Sequence, residues 1–155
     1  MIFPILLFFF FPAASFADGA TEIYTPAEKK RLASAKSLDN RIKVYDTAFV
    51  RIRKQIEKDV REDRFKDAAR TLSGWSALLS ESLTDIEKNV NLKKKSGRLR
   101  QYEIHLRQAI SGLRDLRQRA PMELYDAVIS FEDKAEETRN KFMSILFNPD
   151  TEVKR

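Results

Sequence analysis

The chain predicts an all-α fold: an antiparallel up-down four-helix bundle, divisible into two similar helical hairpins, with a short extra N-terminal helix after a cleaved signal peptide. Three observations carry this. Apolar residues recur in steps of three and four along four long stretches, the period of one helix face. Only 4 Gly and 5 Pro punctuate 155 residues, too few for the frequent turns of a sheet-rich domain. The breaks between stretches are a few residues long, which makes consecutive helices antiparallel neighbours.

Residues 1–17 stand apart from that fold. An apolar run from Ile2 to Phe11 is broken by Pro12 and followed by Ser15 and Ala17, small residues either side of Phe16 where a signal peptidase needs them. The segment reads as a secretory signal, which places the working protein in the periplasm or outside the cell. Retention as a membrane anchor is the alternative, but the uninterrupted run is short against the ~20 residues of a spanning helix. The domain plan is a signal peptide over 1–17, a flexible leader over 18–24, a helical bundle over 25–148 and a tail over 149–155. Cysteine is absent, so an exported chain of this kind relies on packing rather than disulfides. Thiol chemistry, iron–sulfur clusters and cysteine zinc sites are excluded with it.

Each element has a local reason. Thr25-Pro26-Ala27-Glu28 opens the first helix as a capping box with Pro at the first helical position, and the helix runs to about Lys36. Ser37 to Asn40 kink or restart it. The second helix carries Leu38, Ile42, Tyr45, Phe49, Ile52, Ile56 and Val60 on one face, and Arg61-Glu62-Asp63 ends it. Phe65, Ala68, Leu72, Trp75 and Leu79 mark the third, with Gly74 letting a neighbouring helix approach beside Trp75. Asn91 to Gly97 form the mid-chain loop. Leu99, Tyr102, Leu106, Ile110 and Leu113 mark the fourth helix. Pro121 separates it from the fifth, which carries Leu124, Val128, Phe131, Ala135 and Phe142.

An internal echo links the two halves. Arg41-Ile-Lys-Val-Tyr45-Asp46 is similar to Arg98-Leu-Arg-Gln-Tyr102-Glu103, 57 residues later. If it marks a duplication, it predicts two hairpins related by a pseudo-twofold axis. The stretch from Phe49 through Arg64-Phe65-Lys-Asp-Ala-Ala-Arg-Thr-Leu72 resembles helical hairpins of exported bacterial domains of unknown function. It is also similar to tetratricopeptide hairpins, with Glu62-Asp63 in place of the glycine usual at the break. The resemblance covers about 40 residues and implies no particular activity.

Few residues offer chemistry. His105 is the single histidine, and Glu103 two positions away points off to its side on a helix, so it reads as a boundary residue without metal partners. No nucleophile motif and no glycine-rich phosphate loop occurs. Glu132, Asp133, Glu136 and Glu137 sit at cation-binding spacing, but Lys134 and Arg139 lie among them and point to local ion pairs. The sequence therefore predicts no enzyme, no cofactor and no metal.

Charge is the remaining clue. The net charge is +6, unevenly spread: residues 91–120 hold 9 basic and 2 acidic groups, and residues 121–155 hold 5 basic and 8 acidic. Lys93, Lys94, Lys95, Arg100, Arg107 and Arg114 form a candidate anion-binding strip. The alternative is that the strip faces the acidic last helix, with Arg107 level with Asp133 and Lys134, and Arg114 near Asp126 and Ala127. Nucleic acid is not expected, because the aromatic residues fall on core positions instead of among the basic ones. The expected role is a non-enzymatic interaction or structural module of the cell envelope, with a protein partner or self-association. The alternatives are an electrostatic binder of anionic lipid or envelope polymer, or an envelope chaperone using the basic 93–119 segment.

Overall fold

The structure is a computed structural model that describes residues 22–91 and 96–147. The expected signal peptide, the start of the leader, Lys93 to Lys95 and the expected tail lie outside the described residues. Five helices follow in order: α1 (Pro26–Ser34), α2 (Leu38–Arg61), α3 (Phe65–Asn89), α4 (Gly97–Arg117) and α5 (Met122–Phe147). The fold is all-α, four long helices of alternating direction with α1 laid against α2.

The helix starts follow the capping chemistry read from the sequence. Thr25 Oγ1 accepts from the Glu28 amide at 3.2 Å, while Glu28 Oε2 accepts from the Thr25 amide at 2.8 Å. Ser37 restarts the chain by capping α2, and Ser96 caps α4 through the Leu99 amide at 3.1 Å. The α2–α3 break places Asp63 at φ 55°, the left-handed conformation where glycine is usual. Beside it, Asp59 is 2% exposed and accepts from Gln55 Nε2 at 2.8 Å and Arg64 Nε at 3.1 Å. Side chains thus brace a turn whose backbone lacks its best residue.

Two antiparallel hairpins result. In the first, Arg41 Nε donates to Asp85 at 2.7 Å, and Phe49 meets Trp75 with ring centroids 4.6 Å apart. In the second, Arg139 Nε donates to Glu103 at 3.0 Å. Between hairpins the helices run parallel. Ser96 Oγ donates to Asp39 at 2.7 Å and His105 Nδ1 lies 2.6 Å from Asp46, so α2 and α4 advance together. Trp75 stacks on Phe131, and Lys141 lies 3.8 Å from Glu87, so α3 and α5 do the same. Among the described residues, α2 and α5 share no backbone contact, nor do α3 and α4. Those pairs occupy the diagonals of the bundle.

This arrangement overturns the pseudo-twofold expectation. A twofold relating the hairpins would set α2 and α4 antiparallel or diagonal to each other, whereas they are parallel neighbours. The two echoed segments lie instead on helices packed side by side in nearly level register.

The core lies along the bundle axis, where Phe49, Trp75, Tyr102, Phe131 and Phe142 are fully buried. Tyr102 reaches across the diagonal to Ser82 Oγ at 3.0 Å, which satisfies two buried hydroxyls at once. Val44, Ala48 and Leu78 are buried as well, widening the expected faces. Ile23 and Tyr24, read from the sequence as leader, pack against the core. Tyr24 lies near the ring of Tyr45, and the Ile23 carbonyl accepts from Arg51 at 2.6 Å.

Candidate functional site

The α2–α4 seam is the sparsest of the four interfaces in the bundle. Ala109 and Gly112, one turn apart on α4, present almost nothing to α2, and the added Cβ of a residue at Gly112 would meet only an Arg53 nitrogen, at 3.9 Å. A groove of about 210 Å³ opens there, walled by Ile56, Val60, Leu113 and Leu116 and lined at depth by Trp75.

Trp75 is 1% exposed, yet its Nε1–H has no acceptor among the described residues. Buried donors are almost always paired, so this is the exceptional polar group of the site. The rim is charged. Arg53 Nε donates to Glu57 at 2.8 Å, whereas Arg119 Nε reaches only the Asp115 carbonyl oxygen, at 3.4 Å. At the same end of the bundle Met122 and Tyr125 are exposed, at 91% and 44%.

Further along the seam, His105 bridges the helices, with Nδ1 at Asp46 and Nε2 2.9 Å from Gln101 Nε2. It is therefore an interhelical tie rather than a simple boundary residue. Glu103 turns away from it toward Arg139. Among the described residues no three His, Asp or Glu side chains gather as a metal site.

The described members of the basic strip differ in their surroundings. Lys93, Lys94 and Lys95 lie outside the described residues. Arg100 and Arg107 are exposed and form no ion pair among the described residues. Arg114 donates to Glu132 at 3.3 Å and Glu136 at 2.6 Å, and Arg117 donates to Glu132 at 2.9 Å. The strip does meet the acidic helix, but at different partners from those expected, and Arg107 does not pair with Asp133. The reason is geometric. Side chains lean toward the N-terminus of their own helix. Those on α4 lean away from the hairpin turn and those on α5 lean toward it, so partners meet further along α5 than backbone level suggests. The acidic quartet is accordingly engaged by arginines through Glu132 and Glu136.

The sequence reading counted Trp75 as core and expected Gly74 to make room beside it. Ala109 and Gly112 line the groove on the α4 side. Their one-turn spacing beside the α4 seam was the available signal. No protein family, curated protein or solved structure matches the chain.

Proposed function

We propose that this protein is an exported, non-enzymatic interaction module of the cell envelope, which engages a protein partner at the α2–α4 seam. The observation that carries this reading is the groove over Trp75: an apolar depression with a charged rim. Packed four-helix cores ordinarily close such gaps, because an unfilled depression forfeits dispersion contacts. A depression kept open between two helices suits a contact surface. The export assignment rests on residues 1–17 and the interaction role on the seam.

The experiment is affinity purification of the tagged chain from its native envelope, eluted at low and high salt, in parallel with a Gly112→Leu variant that fills the groove. A protein retained at high salt by the native chain and lost by the variant is expected, since apolar burial survives screening. Release of all bound material at high salt, with lipid or acidic polymer in the low-salt fraction, would move the function to exposed Arg100 and Arg107.

A further inference from the structure

We infer that the Trp75 groove is an anchor pocket for an acidic segment of a partner protein, receiving one aromatic side chain between α2 and α4. This rests on the interaction-module reading above. Size decides the class of occupant. The volume of about 210 Å³ falls below the roughly 300–1,000 Å³ of sites that hold cofactors and drug-sized ligands. It exceeds the ~150 Å³ in which a single benzene ring is housed. One ring fits this volume.

The depth of the groove selects an aromatic anchor. Trp75 is already held by Phe131 and Phe49, with ring centroids 4.2 and 4.6 Å away, so an incoming ring extends an existing aromatic cluster without reordering it. The rim selects charge. Arg53 shares its guanidinium with Glu57, and Arg119 holds only a backbone carbonyl, so carboxylates flanking the anchor complete both. The chain's net charge of +6 favours an acidic partner over a basic one.

Trp75 is the single tryptophan, so its emission reports occupancy directly. The probe is a blocked peptide with one phenylalanine between pairs of glutamates. A saturable change in Trp75 emission is expected, with roughly 30-fold weaker binding when alanine replaces the phenylalanine. Gly112→Leu should abolish binding while helix content by circular dichroism is unchanged, because only a flexible guanidinium stands near that Cβ. Arg119→Gln should weaken binding about tenfold while keeping the ring's signal. A silent Trp75, equal binding by the alanine peptide, or undiminished binding to Gly112→Leu overturns the proposal. Phenylacetate binding as tightly as the peptide would also overturn it, by making the groove a small-molecule site. Peptide binding without any envelope partner would sink the cellular role and leave the pocket standing, so the two failures are distinct.

Discussion

The rings of Trp75 and Phe131 lie within 15° of parallel with centroids 4.2 Å apart, and this stack joins α3 to α5 across the boundary between the two hairpins. Phe131 is fully buried and Trp75 touches Phe49 on the first hairpin, so the stack is the centre of hairpin docking. Phe131→Ala is expected to destabilise the protein by about 3–5 kcal/mol, measured by urea unfolding. Trp75 emission in the folded variant should shift red as water enters the space. A loss under about 1 kcal/mol would show that the core repacks around the missing ring.

The tie between His105 and Asp46 is testable by a double-mutant cycle with alanine at each position. A coupling energy of about 0.5–1.5 kcal/mol is expected, because the contact joins two partly buried side chains on neighbouring helices. Zero coupling would remove this contact as a determinant of the parallel α2–α4 register.

Glu28 gives the fold a dependence on acid. Burial pushes its carboxyl up, but hydrogen bonds from Arg51 and from the Thr25 amide outweigh burial and hold it below the usual glutamate range. The unfolded chain therefore binds a proton here first as pH falls. The stability Glu28 contributes is complete above the unfolded value of about 4.3 and is lost as pH drops through the folded value. Compared with Glu28→Gln, the native chain should hold a constant advantage near neutrality that shrinks below about pH 4.3 in acid unfolding curves. A gap that stays constant through acid pH would contradict this assignment.

Asp63 adopts φ 55° at the α2–α3 turn, and Asp63→Gly removes the crowding of its Cβ there. A gain of about 0.5–1 kcal/mol is expected, reduced from the full relief because glycine also loosens the unfolded chain. Thermal unfolding measures it. Destabilisation would mean that the Asp63 side chain supplies more than its backbone costs.

What was legible in the sequence is each helix taken singly. Thr25, Ser37 and Pro121 marked boundaries through their own backbone chemistry, and the residues from Ile42 to Ile56 fell on a face that is indeed buried. A seam states that a helix has an inward side but not which neighbour lies on its left or right. Hence Phe131 and Trp75 were each legible as core, while their pairing was not. The groove was hidden for a related reason: it arises where Ala109 and Gly112 oppose Arg53, residues far apart in the chain. The acidic partners of Arg114 were misplaced because the direction in which side chains lean depends on helix polarity as well as on spacing.

The parallel packing of the hairpins sets the order in which the chain can assemble. Within a hairpin, contacts begin as near as Arg64 to Asp59, five residues apart. Between hairpins, the Asp39–Ser96 and Asp46–His105 contacts span 57 and 59 residues. Local closure is favoured over distant closure, so each hairpin forms early and the two dock late along the Trp75–Phe131 stack. During synthesis α2 and α3 can pair before α5 exists, with Trp75 uncovered until Phe131 arrives. The last event in folding is then the one that buries the fluorescent residue, and its rate is the rate of hairpin docking.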